Sequence, residues 1–172
     1  MIAAIIMVVF PFAMIYAAFS DALTMTIANR VSLVLMVTFV LTAPFIGLSM
    51  HDFAMHWAAF GLVLAVTFVL FAINAMGGGD AKLLASTSLW MGFSPVLFEY
   101  LVTATFFGGM LTIALVLFRG SNMATVASTY PTMKHLVGEK DIPYGIALAF
   151  GGLLAFPQTP AMQWVFAQSV GG

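Results

Sequence analysis

Charged side chains are scarce in this sequence and cysteine is absent from it. The 172 residues include 5 Lys and Arg and 6 Asp and Glu, which is 6% of the chain, whereas 63% are hydrophobic. A soluble domain carries about 25% charged residues, so these few charges cannot cover a water-facing surface. The composition therefore predicts an integral membrane protein surrounded by lipid. A net charge of −1 gives no basis for nucleic-acid binding.

The lack of cysteine excludes disulfides, zinc thiolate sites and thiol catalysis. The three histidines, His51, His56 and His135, are too few and too scattered to indicate a metal site. We therefore expect neither a metal nor another cofactor. No basic residue precedes Arg30, and the first apolar stretch is longer than the core of a signal peptide. We expect this stretch to be retained as a membrane span.

Division of the chain at its charged residues leaves six apolar segments. A membrane-spanning helix needs about 20 such residues. The predicted spans are residues 2–20, 31–49, 57–76, 83–98, 101–118 and an apolar segment from 143 onward. The sequence thus predicts an all-α, polytopic membrane protein of about six helices, with residues 1–172 forming a single domain.

The basic residues predict the orientation of these spans. All five lie in alternate loops: Arg30 in the first, Lys82 in the third, and Arg119, Lys134 and Lys140 in the fifth. The positive-inside rule places such loops in the cytoplasm. We therefore expect both termini on the opposite side of the membrane.

Two acids occupy matching positions in this topology. Asp21 ends the first apolar segment and Asp80 opens the fourth, so both should lie near the cytoplasmic boundary. A carboxylate at membrane depth usually faces a bundle interior or a watery cavity. If helices one and four pack together, the acids can share one proton. One carboxylate could then activate water while the other protonates a carbonyl oxygen.

A simpler interpretation of both acids is also open. Because Asp80 follows glycines, it could equally be a helix N-cap in a tight loop. Asp21 could equally be a solvated acid in a loop, paired with Arg30.

The run Gly77, Gly78 and Gly79 precedes Asp80. Because glycine has no side chain, we expect the backbone to turn here, leave helical geometry and admit an extended substrate beside Asp80. Irregular backbone at membrane depth is tolerated where it lines protein or water.

Three further residues have two interpretations each. Lys82 would steady the Asp80 carboxylate or a developing negative charge, or would be a positive-inside anchor, which we favour. Asn29 would form hydrogen bonds within the site or cap the second helix. Tyr144 would reach the site or lie at the membrane interface. Pro143 is expected in the first turn of the last helix.

Three stretches resemble the type IV prepilin peptidase family. GGGDAKL at residues 77–83 resembles the GxGD motif, in the form typical of the small members that serve Tad/Flp pili. Asp21 followed by Ile27-Ala28-Asn29 resembles the first motif, in which Ile-Pro-Asn is usual, so Ala28 departs from it. DIPYG at residues 141–145 resembles the opening of the family's last helix.

The resemblance implies an intramembrane aspartic endopeptidase of the bacterial inner membrane, with Asp21 and Asp80 as its catalytic residues. Its substrates would be prepilins or pseudopilins, cut after a glycine at the cytoplasmic face to remove a basic leader. Larger relatives also carry a cysteine-containing cytoplasmic insert and methylate the new N-terminus. Residues 119–141 are too few for that insert, so peptidase activity alone is expected.

Two other functions remain possible from the residues themselves. A small ion- or proton-coupled transporter or channel subunit would also use a glycine-broken helix and buried acids. No inverted repeat is visible, however, and both acids lie at one membrane face. A non-catalytic assembly scaffold would leave the matched positions of Asp21 and Asp80 unexplained.

Overall fold

All regular secondary structure in the described residues is helical. The computed structural model describes residues 1–121, Ala124, Thr129 and residues 142–170. Numbered in chain order among these residues, the helices are α1 (Ile2–Thr24), α2 (Asn29–Thr42), α3 (Met50–Ala72), α4 (Gly78–Met91), α5 (Pro95–Arg119), α6 (Tyr144–Ala155) and α7 (Pro160–Val170). A 3₁₀ turn, Phe156–Gln158, separates the last two. The expected all-α class is confirmed.

Helix length supports fewer membrane spans than the sequence predicts. Among the described helices, α1, α3 and α5 are long and apolar enough to cross a membrane. A fourth span is possible if α6, the 3₁₀ turn and α7, bent by 47°, form one broken span. Helices α2 and α4 have 14 residues each, or about 21 Å against a hydrocarbon core of about 30 Å. A helix overlaps each of the six predicted apolar segments, but six membrane spans are not confirmed.

Helix α4 lies inside the bundle, where it packs against α3, α2 and α6. The hydroxyl groups of Ser86, Thr87 and Ser88 are fully buried, and each donates to a backbone carbonyl oxygen three or four residues earlier. The Trp90 indole donates to the Leu35 carbonyl oxygen of α2 at 3.1 Å. A short helix with hydroxyl side chains is therefore tolerated here, because protein surrounds it and its polar groups have partners.

The contact between α3 and α4 depends on a close approach at Gly92. Gly92 ends α4 with φ of +63°, and a Cβ there would lie 2.9 Å from the His56 ring. The buried His56 Nδ1 lies 2.6 Å from the Leu89 carbonyl oxygen. His56 therefore joins two helices inside the bundle.

Candidate active site

Asp21 lies inside α1, one turn before its end, whereas the predicted first span stops at residue 20. The helix continues to Thr24 and ends at Met25, which has φ of 51° and donates its N–H to the Asp21 carbonyl oxygen at 2.9 Å. The Asp21 side chain is only 5% exposed. This burial places the carboxylate within the bundle rather than in a loop.

The carboxylate of Asp21 is held by the start of α6. Its Oδ2 accepts the backbone N–H of Gly145 at 2.7 Å. Gly145 is the second residue of α6, and N–H groups in the first turn of a helix have no partner within the helix. Arg30, by contrast, donates to the Tyr16 hydroxyl at 2.9 Å. The interpretation of Asp21 as a solvated acid paired with Arg30 is therefore wrong.

Asp80 lies in the first turn of α4, three residues after the N-cap, which is Gly77. Its side chain makes no capping hydrogen bond, so the interpretation of Asp80 as an N-cap is wrong. Its Oδ1 is buried and has no hydrogen-bond partner among the described residues. The Asp80 carboxylate also lies close enough to Asp21 to interact with it electrostatically.

Both acids line a single cavity of about 470 Å³. The ends of α1 and α3 and the starts of α4 and α6 meet around it. Its walls are formed by Asp21, Met25, Phe71, Asn74, Ala75, Met76, Gly77, Asp80, Ile142 and Tyr144. A smaller cavity of about 280 Å³ is also lined by both acids and extends toward Ile27 and the glycine run. The structure thus brings together two carboxylates that are far apart in sequence.

The glycine run leaves helical geometry only in part. Gly78 and Gly79 are helical, so the backbone leaves helical geometry only before them. A Cβ on Gly79 would lie 3.1 Å from the Ile27 Cβ, and one on Gly77 would lie 2.8 Å from the Asp80 Oδ2. The missing side chains therefore allow α4 to start against the α1–α2 link and leave room for the Asp80 carboxylate itself.

Lys82 and Asn29 contact each other. The Lys82 Nζ donates to the Asn29 Oδ1 at 2.9 Å, and both residues are exposed. Asn29 begins α2, whose N-cap is Ala28, and it makes no capping hydrogen bond; the capping interpretation is therefore wrong. The observed pair connects the start of α2 to the start of α4.

Tyr144 lines the larger cavity together with the two acids. Its hydroxyl lies 3.3 Å from the Thr112 Oγ1, and its ring covers Gly108, where a Cβ would lie 2.5 Å from the ring. Pro143 is the N-cap of α6 rather than part of its first turn. Asp141, Lys134 and Lys140 lie outside the described residues.

Gly145 has a role in the candidate site that the sequence did not predict: its N–H donates to the Asp21 carboxylate. Only the motif at residues 141–145 indicated it, and no function was assigned to its N–H. Part of this role could be inferred from the sequence, because a proline often marks the start of a helix. The first N–H groups of a helix have no partner within that helix. Their direction toward Asp21 depends on how α1 packs against α6.

The arrangement of the two carboxylates supports acid–base chemistry. Within residues 1–121 and 142–170, no group of three or more His, Cys, Asp or Glu side chains could hold a metal. One carboxylate at the cavity is bonded to a backbone N–H, and the other has a buried oxygen without a partner among the described residues. Two such carboxylates can transfer protons to and from a bound water.

Comparison with known proteins supplies the family. A model of the type IV leader peptidase family matches residues 8–118, which is more than half of the chain and includes both Asp21 and Asp80. Comparisons with curated proteins and with solved structures give no match. The chain therefore belongs to the type IV leader peptidase family.

Proposed function

We propose that this membrane protein is an aspartic endopeptidase that removes the leader of prepilins or pseudopilins, with Asp21 and Asp80 as the catalytic pair. Membership of the family implies a peptidase that acts on a protein substrate. The observation that carries the proposal is the shared cavity: two carboxylates from α1 and α4 line one space of about 470 Å³. Transporter sites typically lie near the membrane midplane, whereas both acids here lie at helix ends.

The two carboxylates differ in their surroundings, and this difference assigns their roles. Asp21 accepts a backbone N–H at the start of α6, and such a bond stabilises the ionised form. Asp80 has a buried oxygen without a partner among the described residues, which disfavours the ionised form. We assign the shared proton to Asp80, so that Asp21 is the base and Asp80 the acid.

Peptide hydrolysis then proceeds in two steps. Asp21 takes a proton from water while the water oxygen attacks the scissile carbonyl carbon, and Asp80 gives its proton to the carbonyl oxygen. In the second step the C–N bond breaks, the proton on Asp21 passes to the leaving nitrogen, and a hydroxyl proton returns to Asp80. The pair finishes with the same single proton with which it began.

The substrate class follows from the resemblance and from the location of the site. Both acids lie near the end of the bundle that holds Arg30 and Lys82, and positive residues favour the cytoplasmic side. We propose cleavage after a glycine at the cytoplasmic face of the bacterial inner membrane, on a prepilin of the Tad/Flp type. We also propose a single peptidase domain without methyltransferase activity.

Co-expression with a candidate prepilin tests the proposal. Asp21→Asn and Asp80→Asn should each abolish the gel shift that marks leader removal, while the protein remains folded in the membrane. Asp52→Asn and Glu99→Gln are matched controls, because both acids are exposed and do not line the cavity; both variants should cleave normally. Cleavage by the Asp80→Asn protein at a rate near that of the parent would refute the assigned mechanism.

A further inference from the structure

A further cavity, of about 420 Å³, lies on the outer side of the bundle between α3 and α5. Leu62 and Val66 of α3 form one wall, Thr105 and Gly109 of α5 form the other, and Leu148 of α6 lies in the floor. We call this cavity the α3–α5 groove. Leu62 and Val66 are 53% and 54% exposed, so no part of the described bundle covers this wall.

The α3–α5 groove adjoins the active-site cavity. Met76 and Tyr144 line both of them. Along α3 the groove extends from Leu62 to Leu70, which is about 12 Å at 1.5 Å per residue. Because α3 ends beside the acids, the groove leads from the proposed scissile position toward the middle of the membrane.

The lining has the chemistry of a site for an apolar segment. Its residues are aliphatic or small, apart from Tyr144 and two threonines, and the Thr67 and Thr105 hydroxyls donate to backbone carbonyl oxygens of their own helices. Among the described residues, no charged side chain lines it. Lipid tails are as apolar as such a lining, so selective occupation of a groove in a membrane depends on packing against small residues.

We propose that the α3–α5 groove binds the apolar helix that follows the scissile bond of the substrate, and so aligns that bond with Asp21 and Asp80. The inference rests on the proposed function. The resemblance to prepilin peptidases implies substrates in which a hydrophobic helix follows the leader, and this groove adjoins the catalytic cavity. The groove would thus select substrates by the presence and packing of that apolar helix.

Gly109 offers a precise test because a Cβ there would meet nothing within 4 Å. Gly109→Leu should fill the groove without disturbing the bundle. Gly61→Leu is the matched control: Gly61 is also exposed, also has nothing within 4 Å of a Cβ, and does not line the groove. Each protein is assayed on a full prepilin in proteoliposomes and on a soluble peptide that ends a few residues after the scissile bond.

Gly109→Leu should lower kcat/KM for the full prepilin by roughly tenfold or more, the scale on which a misfitted apolar pocket discriminates. It should leave peptide cleavage within about twofold of the parent, and Gly61→Leu should change neither. An unchanged rate on the full prepilin would overturn the inference and indicate a groove filled only by lipid. Equal losses on both substrates would also overturn it, because they would indicate a distorted site.

Photo-crosslinking provides a measurement that does not depend on folding of the leucine variant. Val66→benzoylphenylalanine should crosslink to the apolar helix of the prepilin, and the same replacement at Gly61 should not. Absence of the crosslink at Val66 would refute docking in the groove even in an active enzyme. If the parent protein cleaves neither the peptide nor the prepilin, the proposed function fails and the inference fails with it.

Discussion

The strongest structural prediction concerns Gly145, the residue whose N–H holds Asp21. In Gly145→Ala, the new Cβ would lie 2.8 Å from the Asp21 Oδ2 and 2.9 Å from both the Asp21 Cβ and the Ile27 Cδ1. Ordinary contacts begin at 3.4 Å, so full relief needs a separation of 3.4 − 2.9 = 0.5 Å from the Asp21 Cβ and of 3.4 − 2.8 = 0.6 Å from its Oδ2. The Asp21 Cβ is fixed directly to the backbone of α1, so rotation of the side chain cannot relieve this contact. Either α6 shifts or α1 moves away from it.

The expected loss of activity can be scaled from this displacement. Misplacement of a reacting group by about 1 Å costs about a hundredfold in rate, so a shift of about 0.6 Å should lower kcat roughly ten- to a hundredfold. A weakened hydrogen bond to a charged carboxylate, worth about 1.5–3 kcal/mol, gives the same range. Overpacking should also destabilise the fold by about 1–3 kcal/mol.

The assay is cleavage of a prepilin by purified enzyme in proteoliposomes, with the rate normalised to the folded fraction. Gly61→Ala is the control, because a Cβ at Gly61 meets nothing within 4 Å, and it should behave like the parent. A Gly145→Ala enzyme with kcat within twofold of the parent per folded molecule would show that the contact with α6 does not position Asp21.

Three further predictions follow from the pair of acids and from the topology. The Asp21→Asn, Asp80→Asn double variant should be no less active than either single variant, because residues that act as a unit fail together; additive losses in the cleavage assay would contradict a shared mechanism. Chelators should leave proteolysis unchanged, since two carboxylates can activate water without a metal; loss of activity that a defined metal restores would refute this. In this cysteine-free chain, a cysteine introduced at Lys82 should be labelled from the cytoplasmic side and one at His51 from the opposite side. Labelling of His51→Cys from the cytoplasm would reverse the topology.

Some features of the protein could be predicted from composition and local pattern. The scarcity of charge indicates a membrane protein, and apolar runs of about 20 residues indicate that it spans the membrane as helices. Asp21 and Asp80 were recognisable as unusual for the same reason: an acid beside a long apolar run needs a cavity or a partner. The glycine motif, the position of Asp21, the DIPYG stretch and the topology together indicated the family that the comparison confirmed.

Local pattern was less reliable for helix ends and side-chain roles. The cut at charged residues placed Asp21 and Gly79 outside helices, whereas both are helical. A charged side chain is most stable where water can form hydrogen bonds with it. A hydrogen-bond donor inside the protein can take the place of water, as the Gly145 N–H does for Asp21. The sequence likewise suggested no structural role for His56, which is buried and bonded to α4.

Sequence alone determined which residues could do chemistry at membrane depth: two carboxylates, the glycines beside one of them, and no cysteine. Only the tertiary structure decided how they are used. Packing of α1 against α6 directs the Gly145 N–H to Asp21, and Gly79 lets the start of α4 approach Ile27. These contacts join segments far apart along the chain. Their geometry depends on the side chains of both partners at once, which no local pattern encodes.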